Sequence, residues 1–363
     1  MIRLLIVDDS AFMRTTLSQL LDAEPDITVV GTAKDGVEAL EQARVLKPDV
    51  ITMDVMMPNM DGISAVQRMM NVHSCPILMF SSLTQEGAET TLKALEAGAT
   101  DFITKESSFV RGDRSSIVRD LVAKIKSIHG ARSSILHNTR PLVSRARTAA
   151  APAPAPTPGS APNVRINGAE LVLIGISTGG PLSLQKVIPM LAATFPVPIV
   201  IAQHMPPKFT KTLADSLNAI SALTVVEATD GTPLKAGGVY IAPGGSDSVI
   251  FRKDGTPHLR VLKESATSRY HPCVDLLFTS AADLYGSMTV GVVMTGMGND
   301  GLEGARHIKA RNGTVLVQDE GSSVIYGMPK AVFDAGLADA TLALDHIAPV
   351  LTRSLARATA NAA

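Results

Sequence analysis

The chain has 363 residues, of which 45% are hydrophobic and 18% charged, a folding composition long enough for two cores of ordinary size. A formal net charge of −1 gives no general drive toward nucleic acid or an anionic bilayer, so no nucleic-acid partner is expected. No apolar run approaches the ~18 residues of a membrane span, which excludes direct membrane insertion by a helix.

The first strand candidate, Arg3 to Val7, runs straight into Asp8 and Asp9 without the form of a signal peptide. With Cys75 and Cys273 far apart in sequence, a reducing cytoplasm is the expected compartment. Helical spacing over Ala11 to Glu24 follows, then a β-branched run from Ile27 to Val30 and a helix from Gly36 to Leu46. The alternation continues with Val50 to Met53, Ile63 to Asn71, Pro76 to Ser81, Gly87 to Ala97, Asp101 to Thr104 and a last helix from Ser115 to Ile128. Five βα units in a row predict a parallel sheet covered on both faces, with ligands at the carboxyl ends of its strands.

Polar residues fall at those ends: Asp8 and Asp9 after the first strand, Asp54 after the third, Ser81 after the fourth and Lys105 after the fifth. Each aspartate alone reads most simply as a helix N-cap. Converging on one edge, the three carboxylates repel one another unless a hard cation joins them, and an all-oxygen set suits Mg²⁺. A lysine and a hydroxyl beside them can hold an incoming phosphoryl group, with Asp54 as its nucleophilic acceptor.

From about residue 130 the periodic pattern is lost, and Ala149 to Pro162 alternates Ala with Pro. Repeated prolines hold an extended, semi-rigid chain, so 126–165 is expected to be a linker between a domain at 1–125 and another at 166–363. Beyond it, strand candidates are Leu171 to Ile176, Pro198 to Ala202, Leu223 to Glu227, Gly238 to Ile241, Met288 to Thr295 and Thr314 to Gln318. Helix candidates are Leu182 to Ala192, Lys208 to Ile220, Val274 to Tyr285, Gly301 to Ala310, Lys330 to Ala335 and His346 to Arg357. Two runs around Asp254-Gly255 predict a hairpin. The second half is thus expected to be a doubly wound, mostly parallel α/β domain with one antiparallel insertion; no motif is assigned after about residue 338.

Ser177 follows an apolar strand within Gly175-Ile-Ser-Thr-Gly-Gly180. This pattern is either a phosphate-binding loop or a nucleophile on a strand-to-helix turn. A dinucleotide site wants an acidic residue after the next strand, where Gln203 and His204 stand instead. Another strand ends near Thr295-Gly-Met-Gly-Asn-Asp-Gly301. Ser177, His204 and Asp300 at three strand ends form a nucleophile, base and orienter set. Singly, Asp300 reads as the cap of the helix from Gly301, and His258, His271 and His307 compete with His204. Their order along the chain differs from that of α/β-hydrolases. A receiver-controlled binding module and a transcriptional output are the rival classes; the near-neutral charge and lack of a helix-turn-helix pattern count against the latter.

Residues 1–125 resemble a response-regulator receiver domain, on Ile6-Val-Asp-Asp-Ser10, Met53-Asp-Val-Met-Met-Pro-Asn-Met-Asp-Gly62, Phe80-Ser-Ser-Leu83 and Gly98-Ala-Thr-Asp-Phe-Ile-Thr-Lys105. The resemblance implies that Asp54 accepts a phosphoryl group from a histidine kinase, that Asp8, Asp9, Asp54 and the backbone of Met56 surround Mg²⁺, and that Ser81 and Lys105 contact the phosphoryl. It also makes Phe102 the aromatic position that changes rotamer on activation. Residues 170–335 resemble the catalytic domain of chemotaxis receptor methylesterases (the CheB family), on Gly175 to Gly180, Gln203-His-Met-Pro206, Ile241-Ala-Pro-Gly244, Cys273-Val-Asp-Leu-Leu-Phe278, Thr295 to Gly301 and Gln318 to Pro329. Ile176 stands where alanine is usual and Cys273 where serine is usual. That resemblance implies hydrolysis of glutamate γ-methyl esters and deamidation of glutamines on the cytoplasmic part of chemoreceptors, with an oxyanion held by backbone amides of Thr178, Gly179, Gly180 and Met297. No cofactor is expected in this domain, and the unphosphorylated receiver is expected to pack over the Ser177 cleft.

Overall fold

The computed structural model describes residues 1–105, 114–130, 164, 166, 168–264 and 268–360; the expected spacer lies almost wholly outside them. The first half is β1 (Ile2–Val7), α1 (Ala11–Asp22), β2 (Ile27–Ala33), α2 (Gly36–Leu46), β3 (Val50–Asp54), α3 (Gly62–Val72), β4 (Ile77–Ser81), α4 (Gln85–Glu96), β5 (Asp101–Thr104) and α5 (Arg114–Gly130). Its five strands pair in parallel in the order β2-β1-β3-β4-β5. The order reverses between β1 and β3, which opens a crevice at their carboxyl ends. Helix α5 runs to Gly130, past the expected domain end at 125.

The second half contains β6 (Leu171–Ile176), α6 (Gly180–Val187), β7 (Ile199–Gln203), α7 (Phe209–Ile220), β8 (Thr224–Glu227), β9 (Thr232–Pro233), β10 (Gly238–Ile241), β11 (Asp247–Lys253) and β12 (Thr256–Leu262). It continues with α8 (Val274–Tyr285), β13 (Thr289–Val293), α9 (Leu302–Ala310), β14 (Thr314–Gln318), α10 (Met328–Asp334), β15 (Ala340–Leu342) and α11 (Leu344–Ala360). Seven strands form a parallel sheet in the order β15-β14-β13-β6-β7-β10-β8. The chain winds from β6 outward through β7, then returns to lay β13 on the other side of β6, so the switch point lies between β6 and β13. All six residues of β6 are buried, as a central parallel strand requires.

The expected hairpin is β11 and β12, paired antiparallel. Its Asp254 and Gly255 both take positive φ, 50° and 79°, as a two-residue turn of the primed type needs. The short β9 adds a third strand that the sequence did not signal. The tail is structured too: β15 extends the sheet beside β14, and Ile347, Val350, Leu351 and Leu355 of α11 are buried in the core. Among the described residues no helix is long and apolar enough to cross a membrane.

Candidate active site and phosphoacceptor site

Ser177 leaves β6 and enters a turn closed by the Gly180 amide, which donates to the Ser177 carbonyl at 2.8 Å. That amide is therefore spent on the turn, leaving those of Thr178, Gly179 and Met297 as oxyanion candidates from the expected set. Gly179 has φ 77°, where a side chain would also strike Val324 at 2.5 Å, so only glycine suits this position. Gly296 passes so close that an added Cβ would lie 2.7 Å from the Ser177 Cβ. The Ser177 amide donates to Thr295 at 2.9 Å and the His204 amide to Ile176 at 3.0 Å, which ties the ends of β6, β7 and β13 together.

Ser177 and His204 line one cavity of about 410 Å³, together with Thr178, Gln203, Tyr270 and Met297. His204 is nearly buried, and its Nε2 lies 2.7 Å from Asp300 Oδ2. Its Nδ1 is buried without a hydrogen-bond partner. With Nε2–H donated to the carboxylate, Nδ1 carries the lone pair of the neutral ring.

Asp300 is not the cap of the following helix; Gly301 occupies that place, with φ 97°. The carboxylate instead accepts the amides of Val274 at 2.8 Å and Asp275 at 2.9 Å, at the start of α8. Asp275 returns the arrangement, accepting the amides of Gly301 at 2.9 Å and Gly304 at 2.7 Å at the start of α9. Two helices thus exchange capping carboxylates across 25 residues of sequence, and each benefits from a helix dipole. Burial works to raise the Asp300 carboxyl, but the hydrogen bond and charge of His204 and the two amides hold it below the usual range. Asp275 goes the other way: burial and repulsion from Asp300, against the pull of its two amides, push it up to about 6.

Cys273 is the N-cap of α8 and its thiol lies 3.6 Å from Asp300 Oδ1. Burial and the Asp300 charge push this thiol up to about 11, so it stays protonated at neutral pH and is a poor nucleophile. Iodoacetamide at pH 8 is expected to leave Cys273 unmodified in the native protein and to alkylate it after denaturation, as read by peptide mass spectrometry. Rapid native labelling would contradict the assignment.

The competing histidines go elsewhere. His307 pairs with Asp283 on the surface, and His258 contacts the Thr256 carbonyl. His271 also lines the cavity, but its Nδ1 is held at 3.0 Å by the fully buried Asp247.

In the first half, Asp8, Asp9 and Asp54 gather at the β1/β3 crevice, with ligand atoms within 4.8 Å of one another. None of them is a helix cap: Ser10, Asp35, Asp61 and Thr84 cap α1 to α4. Lys105 lies 2.7 Å from Asp54 Oδ2 and 3.1 Å from Asp8 Oδ2. Burial raises the Asp54 carboxyl, Lys105 pulls it down and the Asp8 and Asp9 charges raise it again, leaving it at about 6. For Lys105, burial lowers the ammonium but the contacts with Asp54 and Asp8 outweigh it and raise it. Met56 is exposed in the loop after β3. The Ser81 hydroxyl is turned inward, 3.1 Å from the Gly87 carbonyl and 2.7 Å from the Thr91 hydroxyl.

The two halves meet at the cavity mouth, where Asp101, Phe102, Asp120 and Lys124 form part of its wall. The Thr178 hydroxyl donates to Asp101 Oδ2 at 2.9 Å, and Lys124 pairs with the same oxygen. Phe102 stacks on Phe209 of α7, with ring centres 4.7 Å apart and planes 4° from parallel. Arg269 pairs with Asp120, and Gln85 donates to Thr212 at 2.9 Å. Asp275, Asp101 and Tyr270 are site residues that sequence reasoning missed. For Asp275 the available signal was an acid in the first turn of a helix, a pattern too common to single it out.

Two family models match the chain, one in each half. The response regulator receiver domain model matches residues 4–112, and the CheB methylesterase model matches residues 172–351. A protein-glutamate methylesterase/protein-glutamine glutaminase from Lawsonia intracellularis is 43% identical over 98% of this chain and 99% of its own length. One from Vibrio parahaemolyticus is 45% identical over 96% of this chain and 97% of its own length. The crystal structure of the Thermotoga maritima CheB methylesterase catalytic domain is 44% identical, with a TM-score of 0.50 over 51% of this chain and 98% of that one. A receiver domain followed by a methylesterase domain, with full-length relatives at this identity, places the chain in the CheB protein-glutamate methylesterase/protein-glutamine glutaminase family.

Proposed function

We propose that the chain is a phosphorylation-activated hydrolase that demethylates glutamate γ-methyl esters of chemoreceptors, and deamidates receptor glutamines, in chemotactic adaptation. The observation that carries this reading is the delivery of Ser177, His204 and Asp300 by three adjacent strands of one sheet, with Ser177 and His204 lining one cavity.

Ser177 Oγ attacks the ester carbonyl carbon while His204 Nδ1 takes its proton, and Asp300 stabilises the imidazolium from the other nitrogen. The amides of Thr178, Gly179 and Met297 receive the oxyanion; one such donor lowers a barrier by roughly 2.7 to 4 kcal/mol. Collapse of the tetrahedral intermediate breaks the bond to the methoxy oxygen, which takes the proton back from His204 and leaves as methanol. Water, deprotonated by His204, then cleaves the glutamyl ester, releasing the glutamate carboxylate and restoring the Ser177 hydroxyl. A glutamine side chain follows the same path with ammonia as the leaving group.

Control is assigned to Asp54. The clustered oxygens of Asp8, Asp9 and Asp54 fit a hard divalent cation, since three carboxylates lie within 4.8 Å of one another and the buried Asp8 Oδ2 meets, at 3.1 Å, a Lys105 ammonium that it shares with Asp54. Asp8, Asp9, Asp54 and the Met56 carbonyl would hold Mg²⁺ there, and the ion would supply charge neutralisation for phosphoryl transfer from a histidine kinase. Asp54 accepts the phosphoryl, Lys105 shifts its ion pair to it, and Ser81 turns its hydroxyl outward from Gly87 and Thr91. Space vacated by that turn is available to Phe102, whose stack on Phe209 joins the two halves. Loss of the stack shifts the population toward an open cleft.

The test is methanol release from methylated receptor membranes with and without a small phospho-donor. Wild type is expected to be stimulated and Asp54→Asn to remain at its basal rate. Equal stimulation of both would overturn the assignment of Asp54.

A further inference from the structure

We propose that Tyr270 is a positioning residue for His204, holding the plane of the imidazole by face-to-face stacking and stabilising the imidazolium that forms in the transition state. The inference rests on the reading of His204 as the base.

The geometry begins with what holds the ring. Asp300 grips Nε2 at 2.7 Å, while Nδ1 has no hydrogen-bond partner. One hydrogen bond fixes one corner of an imidazole, and the terminal torsion of histidine is broad. The ring could therefore swing and carry Nδ1 away from Ser177. Tyr270 closes off that swing: its ring lies 4.5 Å from the imidazole centre with the planes 13° apart.

Tyr270 is itself pinned. The Ser268 hydroxyl donates to the Tyr270 carbonyl at 2.9 Å, and the next residue, His271, is held by the fully buried Asp247. Gly245 donates to the His271 carbonyl at 3.2 Å. On the far side, the Tyr270 hydroxyl sits over Gly298, where an added Cβ would lie 3.7 Å from it. The tyrosine thus spans from His204 to the loop that carries Met297 and Asp300. A flat aromatic face beside a nascent cation is also electrostatically favourable. The Asp300 carboxylate balances the imidazolium at its edge, and the ring face adds a second contact perpendicular to it.

Other charged groups surround His204. Asp300 and, behind it, Asp275 lie on one side, and Arg269 and His271 flank Tyr270. Glu264 and the receiver's Asp101, Asp120 and Lys124 line the same cavity. All of these remain in the variants below, so they form a common background.

The experiment uses the full-length protein, activated by a phospho-donor, with Tyr270→Phe and Tyr270→Leu. Two readouts are compared: the pH profile of methanol release, and the rate at which a small serine-directed phosphonylating probe labels Ser177. The probe needs an activated serine but no receptor docking. Tyr270→Leu keeps an apolar cover and loses the aromatic face. It is expected to slow both reactions by about 2- to 30-fold, mainly in kcat, and to move the acidic limb of the profile to lower pH. Tyr270→Phe keeps the stack and should restore both to within about twofold of wild type. A wild-type rate for Tyr270→Leu would overturn the proposal. So would equal losses in Leu and Phe with an unmoved profile, which would mark a role for the hydroxyl instead. His204→Gln separates the underlying reading: if it retains probe labelling at the wild-type rate, His204 is not the base, whatever the Tyr270 variants do.

Discussion

Ser177→Ala is expected to lower kcat for methanol release from methylated receptor by about five to six orders of magnitude, with receptor binding unchanged. The size follows from the lack of a stand-in nearby among the described residues. The adjacent Thr178 hydroxyl donates to Asp101 and the Ser183 hydroxyl to the Gly179 carbonyl, so neither is aimed at the base. What survives is the contribution of the oxyanion amides and binding, roughly a thousandfold or more over water. His204→Gln should lose nearly as much. Asp300→Asn should lose about 10⁴-fold in kcat, and it should also lower stability, because Asp300 accepts amides of α8 as well as His204. A Ser177→Ala enzyme working near the wild-type rate would remove the nucleophile from Ser177 and with it the proposed mechanism.

Removing residues 1–140 is expected to raise the basal rate, by roughly 10- to 100-fold if the closed arrangement is held by a few kcal/mol. Two contacts dominate that figure. The buried hydrogen bond from Thr178 to Asp101 contributes about 0.5 to 1.5 kcal/mol. The Phe102–Phe209 stack contributes about as much beyond its area. The Arg269–Asp120 pair is exposed on both sides, so it adds little. The excised half bares Phe209 and its neighbours, which are buried against the receiver in the whole chain. Asp101→Ala and Phe102→Ala in the full-length protein therefore make the milder companions, each expected to give a several-fold rise in the unphosphorylated state. Rates measured without phospho-donor decide the matter; a fall or no change in all three would count against inhibition by occlusion.

Much of this was legible in the chain itself. Alternating strands and helices, polar residues at the strand ends, the Asp254-Gly255 turn and the serine between glycines are local patterns, set by apolar periodicity and backbone chemistry within a few residues. They were enough to bring forward Ser177, His204, Asp300, Asp8, Asp9, Asp54, Ser81 and Lys105. The tertiary structure decided what depends on partners distant in sequence. Strand order alone brings β13 beside β6, and so Asp300 within reach of His204. Asp300 looked like the cap of its own helix; packing of α8 against α9 gives it the amides of Val274 and Asp275 instead. The tail after residue 338 carried no motif because a three-residue edge strand is specified by its neighbour β14 rather than by its own sequence. Tyr270 and Asp101 became site residues only when folding set one against His204 and the other against Thr178. Side-chain chemistry is written locally, whereas the face a ring stacks on and the charge that meets a hydroxyl are products of packing.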